Sequence, residues 1–130
     1  MSDLSQSYGR SLLHGGFFDA FYDRFIAASP VVAERFQNTN MDRQKQMMRL
    51  SLSMLVMFAE GKPIARPSVD ALKKSHGPGR YEISRDLYDL WLECLIDTLR
   101  ECDPGFNEEL EGRWREAMAK GINHMSTAAG

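Results

Sequence analysis

Apolar side chains return every three or four residues along nearly the whole chain, and glycine or proline ends most of these runs. The clearest run carries Phe18, Phe21, Tyr22 and Phe25, a spacing that puts four rings on one face of a helix. No segment alternates with period two and no Asn-Gly turn is present, so the sequence predicts no sheet. The expected fold class is all-α, with about seven helices of unequal length packed at crossed angles.

The ends of the helices follow from the residues at which the apolar pattern stops. Pro30 suits the first turn of a helix, and the segment from Thr39 to Asp42 has the Ser/Thr-x-x-acid pattern of a helix start. Gly61 and the Gly-Pro-Gly run after His76 each stop a helix. We therefore expect helices over about residues 4–13, 18–25, 30–36, 41–60, 68–76, 84–102 and 106–125.

Length and charge restrict the class of protein. At 130 residues, the chain is expected to form one domain over residues 1–130. Its 16 basic and 18 acidic residues show no basic stripe, which argues against a nucleic acid partner. The longest uncharged run, residues 50–59, is shorter than the roughly 20 residues of a membrane span, so no membrane association is expected. The first residues lack the basic and apolar parts of a secretory signal, so the expected location is the cytoplasm.

The two cysteines agree with a reducing compartment. Cys94 and Cys102 are eight residues apart in one predicted helix. That separation is about 12 Å along the helix axis, which is too long for a disulfide. Both residues are therefore predicted to be buried thiols.

Three polar residues lie at a helix end or on a face that the pattern predicts to be buried. His76 lies in the last turn of a predicted helix, where a histidine either binds a ligand or interacts with the free carbonyls of the helix end. Tyr22 adds a hydroxyl to a face of phenylalanines and needs a hydrogen-bond partner, which a backbone carbonyl could also supply. Gln44 lies between Met41 and Met48 on a predicted buried face, or is a partly exposed first-turn residue.

Together these residues resemble the globin family over most of the chain. The segment 17–25 is similar to the second globin helix, and Pro30 begins the next one. Phe36 follows Pro30 by six residues and Tyr22 by fourteen, which in globins is the spacing of the phenylalanine that packs on haem. The chain is similar to single-domain bacterial haemoglobins and to the globin domain of flavohaemoglobins, in which a tyrosine like Tyr22 is paired with a glutamine of the distal helix.

Within this resemblance, Gln44 is the candidate for the distal glutamine. It precedes His76 by 32 residues, an interval that is also similar to those proteins. Because the loops between these helices differ in length among globins, Gln46, Met47 and Ser51 are alternatives for the same place.

The resemblance implies haem b as the cofactor, with its iron bound by His76. The other haem contacts that it implies are Phe36, Met48, Leu72, Tyr81 and Ile83. Haem propionates need cationic or donor partners, for which the candidates are Arg43, Lys73, Lys74 and Arg80. Oxygen, carbon monoxide or nitric oxide is then expected opposite His76, where Tyr22 and Gln44 stabilise a ligand that gains negative charge.

The remaining methionines and histidines have simpler explanations. Five methionines between Met41 and Met57 are expected to fill core space, although Met48 or Met54 could serve as an axial haem ligand as in cytochromes. His14 and His124 show no ligand spacing with each other or with a cysteine pair, so both are predicted to be surface residues.

The function that the resemblance implies is reversible gas binding. Flavohaemoglobins also use a last-helix glutamate, but the segment after Trp114 offers only Glu116, which lies too early. No reductase domain follows, so repeated turnover is expected to need a separate reductase. The alternatives are a nitric oxide dioxygenase served by such a reductase, and a haem-free globin-like signalling domain. A monomer and a homodimer both agree with the sequence.

Overall fold

The computed structural model describes residues 3–61 and 85–126, and side chains in the second part over residues 86–121. Within these residues the chain forms six helices and no strand, which confirms the all-α fold class. The helices are α1 (Asp3–Leu13), α2 (Phe17–Ala28), α3 (Pro30–Phe36), α4 (Met41–Ala59), α5 (Arg85–Cys102) and α6 (Glu108–Ser126). The helix predicted over residues 68–76 lies outside the described residues, and so do Leu72, His76, Tyr81 and Ile83.

Glycine, serine and proline set the ends of the first helices, and Pro30 and Gly61 do so as the sequence predicts. Gly16 precedes α2 with a φ of 82°, in the left-handed region that glycine adopts without steric cost. The Ser29 hydroxyl accepts a hydrogen bond from the Val31 N–H at 3.2 Å, and Pro30 takes the first turn of α3. The chain leaves α4 through Gly61, which has a φ of 78°.

The start of α4 differs by one residue from the prediction. The sequence pattern predicts Thr39 as the N-cap, but Asn40 takes that position, and its Oδ1 accepts a hydrogen bond from the Arg43 N–H at 3.2 Å. The Thr39 hydroxyl instead donates to the Arg35 carbonyl at 3.4 Å, near the end of α3. Asparagine caps at least as well as threonine, and here the threonine is already engaged with the preceding helix.

Helix α2 occupies the centre of the fold. It packs against α3, α4 and α5, while α4 packs on α6, and α1 lies against α5 and α6. On α4, the predicted residues Met48, Leu52 and Leu55 are buried, whereas Met41 and Gln44 are half-buried. The packing of α2 on α4 brings the aromatic face of α2 against the first turns of α4.

None of the helices within residues 3–61 and 85–126 is long and apolar enough to cross a lipid bilayer.

A buried carboxylate joins α1 to the turn before α6. Asp103 accepts hydrogen bonds from the Ser7 hydroxyl and from Arg10 Nε, both at 2.5 Å, and from the Gly105 N–H at 2.9 Å. The Trp114 indole donates to the Ser7 oxygen at 3.0 Å. Burial by itself raises the pKa of Asp103, but the donors outweigh it and lower that pKa below its ordinary value. The apolar pattern of the sequence does not predict this network.

Cys94 and Cys102 are free thiols, and both are buried in α5, which confirms the prediction. Burial raises the pKa of each thiol, and the nearby carboxylates Asp97 and Glu101 raise it further. Both cysteines are therefore in the protonated, unreactive form at neutral pH.

Candidate functional site

Tyr22 and Gln44 are in contact where α2 crosses α4. The Nε2 group of Gln44 donates a hydrogen bond to the Tyr22 hydroxyl oxygen at 3.2 Å. The Tyr22 side chain is buried at 4% exposure, and Gln44 is half-buried in the first turns of α4. Tyr22 shares the apolar face of α2 with Phe21 and Phe25, so the packing of that face turns its ring inward. The hydrogen bond therefore joins the two residues that the sequence predicts to stabilise a bound gas.

Aromatic rings and a methionine surround this polar pair. The Phe36 ring meets the Tyr22 ring edge to face, with centroids 5.6 Å apart, and lies 6.2 Å from the Phe25 ring. Phe21 packs edge to face on Tyr22 at 5.0 Å. Met48 is buried one turn after Gln44 and therefore lies on the same side of α4. Phe36 and Met48, two of the predicted haem contacts, thus share the neighbourhood of Tyr22 and Gln44.

The protonation of Tyr22 determines what its hydroxyl can do. Burial raises the pKa of the phenol, and the hydrogen bond from Gln44 lowers it by less, so the hydroxyl is protonated at neutral pH. Its oxygen accepts from Gln44, which leaves the hydrogen to donate elsewhere. Among the described residues, the Tyr22 hydroxyl makes no second hydrogen bond. The pair therefore offers one hydrogen-bond donor among aromatic side chains.

The alternatives to Gln44 occupy other positions on α4. Gln46 is exposed, and Met47 is 55% exposed. Ser51 is half-buried two turns along the helix from Gln44. Of these four residues, Gln44 is the one whose side chain reaches Tyr22.

The predicted iron ligand and three predicted haem contacts fall in the segment that the structure does not describe. These residues are His76, Leu72, Tyr81 and Ile83, and the propionate candidates Lys73, Lys74 and Arg80 lie there too. Arg43, the remaining propionate candidate, is exposed at the start of α4. His14 is exposed, as predicted, and its Nδ1 lies 3.0 Å from the Gly15 carbonyl. In the described part of the chain, no group of three or more histidine, cysteine or acidic side chains is placed to hold a metal.

Sequence reasoning missed an ion pair beside the polar pair. Lys45 Nζ lies 2.7 Å from Asp19 Oδ1, so the residue after Gln44 is tied to the residue one turn before Tyr22. In the sequence, the only sign of this contact is that a lysine directly follows Gln44 and an aspartate precedes Tyr22 by three residues. Opposite charges on two separate helices become informative only when the crossing of the helices is known.

One solved structure is closely similar to this chain, whereas no protein-family model and no curated protein matches it. The similar structure is the crystal structure of a Pseudomonas aeruginosa PAO1 protein that is described as structurally highly homologous to a human haemoglobin. The TM-score is 0.90, and the identity is 37%, over 98% of this chain and 95% of that chain. Identity at this level across almost the whole of both chains reflects common descent, and the chain therefore belongs to the globin family, among the bacterial haemoglobins.

Proposed function

We propose that this globin holds haem b and binds a diatomic gas, oxygen first among them, beside the Tyr22 hydroxyl. The observation that carries the proposal is the hydrogen bond from Gln44 to the hydroxyl of the buried Tyr22 at 3.2 Å. Phenylalanine rings pack against this tyrosine. A gas molecule is recognised by a dry pocket with a few well-placed donors, and this pair supplies one. The family membership of the chain supports the same function.

His76 is the proposed iron ligand. Haem iron in globins is held by one neutral histidine nitrogen, and the helix-end position of His76 in the sequence suits that role. The proposed contacts with the haem ring are Phe36, Met48, Leu72, Tyr81 and Ile83. When bound, haem supplies an iron with one open position, which takes oxygen, carbon monoxide or nitric oxide.

In this proposal the Tyr22 hydroxyl donates its hydrogen to the gas. The hydrogen bond that its oxygen accepts from Gln44 polarises the hydroxyl and makes it a stronger donor. Phe36 and Phe21 keep water away from the donor, and a hydrogen bond to a partly negative acceptor is stronger in such surroundings than in water. The expected consequence is slow release of oxygen.

Absorption spectra of the purified, haem-supplied protein test this function. We expect a Soret band that shifts when carbon monoxide is added to the reduced protein. His76→Ala should remove or strongly alter that band, because the iron loses its protein ligand. The matched control is His14→Ala, which removes an exposed histidine and should leave the spectrum unchanged.

Two outcomes would overturn the proposal. A colourless wild-type protein after expression with haem would show that the globin fold is used without its cofactor, as in a signalling domain. An unchanged spectrum in His76→Ala, with the same carbon monoxide shift, would assign the iron to another residue.

A second function, the oxidation of nitric oxide by oxygen to nitrate, is also supported by the Tyr22 and Gln44 pair. The same donors that hold oxygen would orient it for attack by nitric oxide, and each turnover consumes one electron, which a separate reductase would supply. Nitrate formation on mixing the oxygenated protein with nitric oxide tests this activity. Protein that binds oxygen but leaves nitric oxide unconsumed would rule it out and leave reversible gas binding.

A further inference from the structure

The ion pair between Lys45 and Asp19 stands directly beside the hydrogen bond between Gln44 and Tyr22. Both contacts run from α4 to α2, and their partners are adjacent on α4 and one turn apart on α2. The two contacts are therefore neighbouring links across one helix crossing. The hydrogen bond is part-buried, and the more exposed ion pair is the outer link.

The electrostatic surroundings favour this geometry for Lys45. Its side chain is 27% exposed, Asp19 forms the ion pair, and Asp42 and Asp23 add weaker attraction from a greater distance. Asp19 itself is 67% exposed and meets water on its outer side. The ion pair thus joins the start of α4 to α2 at the residue next to Gln44.

We propose that Lys45 and Asp19 are positioning residues that hold the Gln44 amide against the Tyr22 hydroxyl and thereby slow the release of the gas. This inference rests on the proposed function, because it assigns these residues to the same pocket. Glutamine loses several rotatable bonds when it is ordered, and it lies here in the first turns of a helix. An anchor at the next residue reduces the range of positions open to the Gln44 backbone, so the amide spends more time in contact with Tyr22.

The size of the effect follows from the exposure of the pair. Ion pairs that are partly open to water contribute little to the stability of the fold. Removal of the Lys45–Asp19 pair should therefore shift the Gln44 side chain without unfolding the protein. We expect Lys45→Met and Asp19→Asn each to speed gas dissociation about two- to fivefold. The double variant should be no faster than either single one, because each substitution breaks the same contact.

The first measurement follows Gln44 itself. In a proton–nitrogen correlation spectrum of the purified protein, as its carbon monoxide complex where haem is bound, the Gln44 side-chain amide is assigned by its loss in Gln44→Leu. Lys45→Met should shift these two resonances, and Lys45→Arg, which keeps the charge, should leave them close to their wild-type positions. Arg113→Met is the control, since it removes an ion-paired cation on α6 that is more exposed than Lys45 and lies away from Gln44.

The second measurement asks whether the ion pair acts through Gln44. Oxygen dissociation is followed by replacement with carbon monoxide in Lys45→Met, in Gln44→Leu and in the combined variant. If Lys45 positions Gln44, the substitution of Lys45 has no further effect once the amide is gone. A purely structural role would give the same acceleration in both backgrounds.

The outcomes separate this inference from the proposed function. Unmoved Gln44 resonances in Lys45→Met, or an acceleration that persists in the Gln44→Leu background, would overturn the positioning role even when the protein binds haem and gas. A protein that takes up no haem but shows the shifted resonances would refute the gas-binding proposal and still support the link between Lys45 and Gln44.

Discussion

Gln44 donates to the hydroxyl oxygen of Tyr22 across the crossing of α4 and α2, and this contact leaves the tyrosine hydrogen available to a third partner. The opposite polarity, with Tyr22 donating to the glutamine carbonyl, would use up the phenol hydrogen inside the protein. The direction of the hydrogen bond therefore suits the proposed role of Tyr22 as the donor to a ligand, with Gln44 in a supporting role. Substitutions at the two residues should differ in size for this reason.

Tyr22→Phe should speed oxygen dissociation by about tenfold to a hundredfold, because it removes a hydrogen bond to a partly charged acceptor. Gln44→Leu should have the smaller effect, since the phenol remains. Stopped-flow replacement of oxygen by carbon monoxide measures both rates. Tyr8→Phe is the control, because it removes another buried phenol, one that donates to the Arg49 carbonyl at 3.0 Å. Equal rates in Tyr22→Phe and wild type would exclude the phenol as the ligand donor.

The Asp103 network predicts a loss of stability in acid. The pKa of Asp103 is lower in the folded chain than in the unfolded one, because Arg10, Ser7 and Gly105 donate to its carboxylate. The charged form therefore stabilises the fold above the ordinary aspartate pKa, and this contribution is lost as the pH falls towards the lowered value. Asp103→Asn should lower the free energy of unfolding at neutral pH by about 1–3 kcal/mol.

Urea unfolding at neutral pH and at a series of pH values below the ordinary aspartate pKa measures this contribution. The difference in the free energy of unfolding between wild type and Asp103→Asn should become smaller as the pH falls, because the wild-type carboxylate becomes protonated. Asp97→Asn serves as the control, since Asp97 forms an exposed ion pair with Arg100 and should contribute little. A gap of constant size across this pH range would show that the charge of Asp103 is not the stabilising feature.

The contact between Tyr22 and Gln44 was predictable because the local spacing and the resemblance to globins indicate the same two residues. Tyr22 interrupts a phenylalanine face with helical spacing, and its distances along the chain to Pro30 and Phe36 match the globin pattern. Gln44 interrupts the apolar face of its own helix in the same way. Helical periodicity predicts on which face of its helix each residue lies. The resemblance to globins predicts that the two helix faces are in contact.

The contacts that the sequence did not predict depend on how the helices cross. Arg10 and Asp103 are 93 residues apart, and nothing periodic connects them. On α5, helical spacing predicts that Leu90 and Trp91 share an apolar face with Leu87 and Cys94, yet both are only half-buried, whereas Ile96 is fully buried. Helices α1, α2 and α6 all pack against α5, so burial along it depends on three neighbours rather than on one face. The burial of such residues depends on tertiary packing, which the apolar pattern of a single helix does not determine.

The two cysteines should resist thiol reagents in the folded protein. Cys94 and Cys102 are buried, and burial raises the pKa of both, so little thiolate is present at neutral pH. We expect almost no reaction with a disulfide reagent over minutes, and reaction of both thiols at once in urea, when the absorbance of the released thiolate is followed. Rapid modification of one thiol in the native protein would reveal local opening of α5.

Gly121 lies so close to α4 that a side chain there would collide with it. A Cβ atom at this position would lie 2.7 Å from Leu55 Cδ2, and Leu55 is buried at 4% exposure. Gly112 provides a matched control on α6, because it is exposed and a Cβ there meets nothing within 4 Å. The same substitution can therefore be compared at a crowded and at an open position of one helix.

Gly112→Ala should stabilise the protein by up to about 1 kcal/mol, because alanine restricts the unfolded chain and favours helix. Gly121→Ala gains the same amount but overpacks the contact with Leu55, at a cost of about 1–3 kcal/mol, so we expect net destabilisation. Leu55→Val in the Gly121→Ala background should recover part of the loss, since it shortens the colliding side chain. Thermal unfolding of the four proteins measures these differences. Equal stabilisation by both alanines would mean that α4 and α6 are free to separate at this crossing.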